Sequence, residues 1–127
     1  MKPRWLDRRI SAPGPHLTLC LNEREFRQAV RHLGIKDSGS WMKNTHSDAT
    51  THLYERKSGL VAIVALCSRR KKRSPIEIAG LLVHEAVHVW QAWCDRIGET
   101  HPAFEQEAYG VQSIAQELMA EYARRVK

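Results

Sequence analysis

Three segments of the chain carry the pattern of β-strands. Leu17–Leu21 and Thr50–Glu55 alternate apolar and polar residues, whereas Leu60–Cys67 is apolar throughout. A four-residue stretch that ends in a glycine separates the last two segments, and this predicts a β-hairpin. The uninterrupted apolar strand is expected at the centre of a short, mostly antiparallel sheet, because both of its faces must be covered. Thr50–Glu55 is the candidate edge strand.

A first helix is predicted between these strands. Asn22 has the character of an N-cap with Glu25 as its capping-box partner, and apolar residues recur at helical spacing as far as Gly34. Residues 35–48 are polar and contain one glycine, so we interpret them as a surface connection. Trp41 and Met42 leave open the alternative that this loop forms a lid over a substrate.

Two longer helices are predicted in the second half of the chain. Ser74 as N-cap, Pro75 at the first position and Glu77 at the third mark the start of a helix that runs to Ile97 and ends at Gly98. Its flanks are apolar almost all round, so it is expected to be internal. The last helix begins near residues 101–102 and carries an apolar stripe that consists of Phe104, Ala108, Val111, Ala115, Leu118 and Tyr122.

The sequence His84-Glu85-Ala86-Val87-His88 is an HExxH motif within the longer of these helices. Positions i and i+4 lie on one helix face, so His84 and His88 can direct their imidazole nitrogens at one metal ion. Glu85 lies off that line, where its carboxylate can accept a proton from water as a general base. Polar groups on an internal helix need partners, and a metal ion would meet that need. We expect a metal site here rather than two core histidines.

Composition excludes several classes of protein. With 43% hydrophobic and 27% charged residues, the chain has the composition of a globular domain of the cytoplasmic type. The longest apolar run has eight residues, too few to span a bilayer, and no secretory signal is visible. Three widely spaced cysteines do not suit a disulfide scaffold. Residues 1–15 read as a loose leader, and residues 16–127 as one domain.

The chain also carries positive charge. Its net charge is +6, and a basic run occupies residues 69–73. Such a run could contact phosphate, but no aromatic residues interleave with it to stack on bases. Nucleic acid is therefore a possible partner that we do not favour.

Around the HExxH motif the chain resembles the gluzincin metallopeptidases. The resemblance covers about residues 74–122. The chain is most similar there to small metallopeptidase-like proteins of phages and prophages. The residues that carry this likeness are His84, Glu85, His88, Trp90 or Gln91, and then Glu105, Glu107, Ala108, Tyr109 and Gln112. In gluzincins a glutamate on the following helix completes a His-His-Glu zinc site. The resemblance implies Glu105 for this role, because Ala108 and Tyr109 follow it at the matching positions.

Glu107 remains the alternative third ligand. It lies at another spacing that gluzincins use after the second histidine, and it falls nearer to the apolar stripe of its helix than Glu105 does. The glutamate that is not a ligand would orient a ligand histidine or lie in solvent. Tyr109 stands where an aspartate is common in the family.

Hydrolysis also needs a donor for the oxyanion. Tyr109, His101 and Tyr54 could supply it, although residues of these types more often pack or lie at the surface. Tyr109 is the candidate that we retain as a catalytic residue.

The expected architecture is an α+β, zincin-like domain. A small sheet packs on the central HExxH helix, and the C-terminal helix supplies the third ligand. The resemblance implies a zinc-dependent peptidase that cleaves peptides or proteins bound as an additional strand beside the edge strand. The alternatives are a zinc-stabilised binding module without catalysis and a basic nucleic-acid-associated protein. The sequence leaves the substrate and the oligomeric state open.

Overall fold

The computed structural model describes residues 15–44, 46–67 and 72–126, which form an α+β fold of three strands and three helices. Residues 1–14 of the predicted leader and residues 69–71 of the basic run lie outside the described residues. In chain order the elements are β1 (His16–Cys20), α1 (Glu23–His32), β2 (Ala49–Arg56), β3 (Gly59–Leu66), α2 (Pro75–Ile97) and α3 (Phe104–Arg125).

The three strands form one mixed sheet in the order β1-β3-β2. The hairpin is confirmed, since β2 pairs antiparallel with β3, and so is the position of β2 at the edge. The prediction of a mostly antiparallel sheet is wrong, because β1 pairs parallel with β3. The chain leaves β1 beside Ala65 of β3 and enters β2 beside Leu66, at the same end of the sheet. Strands β1 and β2 therefore run in opposite directions, and β1 runs parallel to β3.

Strand β3 lies at the centre of the sheet and is buried along its whole length. One face of the sheet, the α1 face, packs Val61 and Ile63 of β3 against Phe26 and Val30 of α1. The opposite face, the α2 face, packs Val64 and other residues against α2 and α3. Each face therefore has its own apolar cluster, and α2 lies on the second of them.

Helix α2 begins and ends where the sequence predicts. Ser74 forms a reciprocal capping box with Glu77, and Gly98 ends the helix in the left-handed conformation at a φ of 76°. The sequence predicts that α2 is internal, and this prediction is wrong for one side of the helix. Ile78, Leu82, Ala86 and other residues are buried, whereas Ile76, Val83 and both histidines of the motif are exposed. The helix therefore packs on the sheet and on α3 and leaves one side open.

Helix α3 packs against α2 with only part of its length. Ala115 and Leu118 of the predicted apolar stripe are buried together with Ile114, but Phe104 is 91% exposed and Ala108 is exposed as well. The first two residues of the stripe are therefore left uncovered. Periodicity shows which side of a helix is apolar, but it does not show where the neighbouring helix ends.

The end of α3 is joined to the start of α1 by charged groups. Glu121 is 3% exposed and accepts hydrogen bonds from both Nε and Nη2 of Arg124. Arg125 pairs with Glu25, whose carboxylate also accepts from the backbone N–H of Leu21. This terminal ion-pair network covers the turn between β1 and α1. No helix in the described part of the chain is long and apolar enough to cross a membrane.

Candidate metal centre

Helix α2 places the two histidines of the motif side by side. The Nε2 atoms of His84 and His88 are 3.2 Å apart, and both side chains are exposed. Two nitrogens that each lie about 2.0–2.1 Å from one tetrahedral ion are about 3.3–3.4 Å from each other. The spacing of this pair therefore fits two ligands of one metal ion, as the sequence predicts.

Glu85 has a different environment from the histidines. It is 5% exposed and lies between α2 and the edge strand, where its Oε1 accepts a hydrogen bond of 2.8 Å from the hydroxyl of Thr51. Thr51 lies on β2 opposite Val64, on the α2 face of the sheet. A buried carboxylate needs such a donor, because leaving it unpaired would cost about 1–3 kcal/mol or more. Thr51 thus fixes the carboxylate beside the histidine pair.

The motif lies in a cleft between α2 and β2. A C-terminal arm of about 690 Å³ runs toward Gln91 and Ala92, with Leu53 of the edge strand on its opposite wall. An N-terminal arm of about 400 Å³ runs toward Glu77 and Gly80. Both arms contain His84 and Glu85, so the cleft passes the motif on either side.

The loop before β2 forms part of this cleft, but Trp41 and Met42, the residues that suggested a lid, do not line it. Met42 is 5% exposed, and the carbonyl oxygen of Trp41 lies 2.7 Å from Nε2 of His52. His52 also packs against Phe26 on the α1 face, and burial lowers its pKa. These contacts anchor the loop, while Lys43 and its neighbours Asn44 and Ser47 line the cleft.

The two candidate glutamates of α3 differ in their contacts. Both residues are exposed, but Oε2 of Glu107 accepts a hydrogen bond of 3.1 Å from the indole Nε1 of Trp90 on α2, whereas Glu105 has no such contact. Glu107 lies in a smaller cavity of about 320 Å³ whose lining includes Gln91, a residue that also lines the C-terminal arm. Of the two carboxylates, Glu107 is therefore the one that faces α2.

Among the described residues, no third metal ligand completes the pair. Within residues 15–44, 46–67 and 72–126, no group of three His, Cys, Asp or Glu side chains is placed to hold a metal ion. The donors that are present, two imidazoles beside a carboxylate, are those that zinc accepts. The residues fit a zinc ion as a pair, and a third ligand would have to move toward them.

The candidate oxyanion donors are not brought to the motif. Tyr109 is 63% exposed on α3, and neither it nor His101 lines the cleft. Tyr54 packs in the cluster on the α1 face, where burial raises its pKa. The catalytic role of Tyr109 therefore stays a prediction, and the position of its side chain does not support it.

Sequence reasoning missed two residues that shape the site. Thr51 is 34 positions before Glu85, and nothing in an alternating strand marks which threonine meets a carboxylate. Trp90 was named in the resemblance without a role, but its indole N–H donates a hydrogen bond to Glu107. A tryptophan two residues after the motif is a usable signal, since a buried indole N–H requires an acceptor.

Comparison with known proteins adds no relative. No protein-family model, curated protein or solved structure matches this chain.

Proposed function

We propose that this chain is a zinc-dependent metallopeptidase of the gluzincin type. The observation that supports the proposal is the pairing of His84 and His88 at 3.2 Å beside the buried carboxylate of Glu85, in a cleft bordered by an edge strand. When bound, zinc supplies a Lewis acid for a carbonyl oxygen and makes water a nucleophile near neutral pH.

Glu85 has the position of the general base. Thr51 donates to Oε1, and among the described residues Oε2 has no hydrogen-bond partner, so Oε2 is the oxygen that accepts the proton of the attacking water. The same carboxyl group then donates this proton to the leaving amine. Burial excludes most of the competing water from the carboxylate, and Thr51 keeps it oriented.

Glu107 is our proposed third ligand, in place of Glu105. It faces α2 through its hydrogen bond with Trp90, and Gln91 alone among the cleft residues also borders the cavity that contains it. Because Glu105 and Glu107 are two residues apart on a helix, their side chains leave it about 200° apart. Both glutamates therefore cannot serve the same ion.

The edge strand gives the cleft its expected substrate. Strand β2 pairs only with β3 among the described strands, and Thr50, Thr51 and Leu53 of β2 line the C-terminal arm. An extended peptide can bind such a free edge through backbone hydrogen bonds. A peptide or protein is therefore the substrate class that we propose.

The first test is metal content. Protein purified without chelator is expected to contain about one zinc ion per chain, and His84→Ala is expected to lose it. His32→Ala is the matched control, because His32 is exposed on α1 and outside the cleft. Absence of zinc in the wild-type protein, with no uptake when zinc is added, would contradict the proposal.

The second test separates a peptidase from a zinc-stabilised binding module. Glu85→Gln is expected to retain zinc and to lose hydrolysis of a fluorogenic peptide library by a factor of about 10² or more. Glu107→Ala is expected to weaken zinc binding, whereas Glu105→Ala is not. Zinc binding without hydrolysis in the wild-type protein would leave the binding module as the function of the site.

A further inference from the structure

The N-terminal arm of the cleft has a glycine in its helical wall. Gly80 lies within α2, is exposed, and occupies the same helix face as His84, one turn before it. Glycine in the interior of a helix is unfavourable relative to alanine, because it loses more backbone entropy on folding. Its presence at this position therefore calls for a reason.

The described residues provide no such reason. Apart from its chain neighbours and the backbone of its own helix, a Cβ atom built on Gly80 would meet no heavy atom of the described residues within 4 Å, and the residue does not have a positive φ. Gly110 on α3 shows the opposite case, since a Cβ there would overlap the ring of Trp90. Gly110 is required by packing, whereas the space beside Gly80 is open.

We propose that Gly80 is a specificity-determining residue, whose missing side chain leaves a subsite for a large apolar side chain of the substrate. This inference rests on the proposed peptidase function. The arm is lined near Gly80 by the apolar residues Ala49 and Leu81, and its rim carries Arg73 in ion pairs with both Asp48 and Glu77. The two carboxylates outnumber the guanidinium, so the subsite is expected to disfavour acidic side chains and to select among uncharged ones by size.

Substitutions at Gly80 test this role. Gly80→Ala is expected to raise the melting temperature by about 2–5 °C, since it improves helix propensity without a clash. Gly80→Leu is expected to fold and to fill the arm. Ala123→Leu is the matched control, because Ala123 is exposed on α3 and does not line the cleft.

The functional comparison uses two peptides that differ only in having Phe or Ala at one position beside the bond that is cleaved. We expect Gly80→Leu to lower kcat/KM for the Phe peptide by about tenfold or more and that for the Ala peptide by less than twofold. Ala123→Leu should change neither value. An unchanged Phe-to-Ala ratio in Gly80→Leu, or a lower melting temperature in Gly80→Ala, would overturn the inference.

Equilibrium binding to the metal-free protein gives a second readout, measured by calorimetry with the same two peptides. Wild-type protein should bind the Phe peptide more tightly, and Gly80→Leu should lose this preference. If wild-type protein binds with the preference but does not cleave, the peptidase proposal fails and the subsite remains. If neither peptide binds, or both bind equally well, the subsite proposal fails as well.

Discussion

The two long sides of helix α2 meet their surroundings in opposite ways. On one side, Leu82, Trp90 and other residues are buried against the sheet and α3, and the ring of Trp90 lies directly over Gly110. On the other side, Gly80, His84 and His88 are exposed and line the cleft beside β2. The helix therefore has, along its length, a closely packed half and an open half.

This difference shows how a small fold can hold a site in place. The open half can present exposed imidazoles because the packed half fixes the axis and rotation of the same helix. Side chains used for chemistry must be positioned by neighbours that are themselves well packed. The predictions below test whether the two halves differ in this way.

The largest effect on stability is expected from Gly110→Ala, which would destabilise the packed half. The new methyl group would overlap three ring carbons of Trp90, and overpacking of this kind costs about 3 kcal/mol. Urea denaturation measures the change in the free energy of unfolding. An effect below about 0.5 kcal/mol would show that α2 and α3 separate easily and would remove the contrast with Gly80.

A smaller loss is expected in the open half from Thr51→Val. This change keeps the shape of the side chain but removes the donor to the buried carboxylate of Glu85, which costs about 2 kcal/mol. Thr100→Val, at an exposed position outside the C-terminal arm, is the control and should leave stability unchanged. If the two variants unfold alike in urea, Thr51 does not hold Glu85.

Next in size is the difference between Glu107→Ala and Glu105→Ala. Both remove a negative charge near the start of α3, but only Glu107 accepts the hydrogen bond from Trp90. The first variant should lose about 1 kcal/mol of stability, and the second should stay within about 0.5 kcal/mol of the wild type. Equal losses in chemical denaturation would mean that the indole contact contributes nothing.

The smallest effect is expected in thiol reactivity. Burial raises the pKa of the Cys94 thiol, which lies in the packed half, whereas Cys67 is only half-buried. Iodoacetamide at mildly alkaline pH should therefore modify Cys67 before Cys94, as followed by peptide mass spectrometry. Gly110→Ala should quicken the modification of Cys94 and leave the rate at Cys67 unchanged. Modification of Cys94 first would show that the packed half does not shield its thiol from the reagent.

Local signals in the sequence predicted much of this fold. Asn22, Ser74 and Gly98 mark helix ends through hydrogen bonds and a backbone conformation that involve only nearby residues. The hairpin was likewise predictable, because a short stretch that ends in Gly59 separates the two strand segments. The positions of His84 and His88 follow from helix geometry alone.

The contacts that the sequence could not predict join distant segments. The parallel pairing of β1 with β3 depends on how α1 and the following loop cross the α1 face. The exposure of Phe104 depends on where α2 ends beside α3. The contact between Thr51 and Glu85 depends on the rotation of α2 over the sheet, which no single segment specifies.

The terminal ion-pair network has a consequence for the order of folding during synthesis. The ion pair of Arg125 with Glu25 joins positions 100 residues apart, whereas β2 and β3 are neighbours in the chain. Local contacts form early, and distant ones require closure of a long loop. On the ribosome, the hairpin and α1 can form while α3 is still being made. The turn between β1 and α1 is covered only after residue 125 has left the exit tunnel, so this last contact completes the fold.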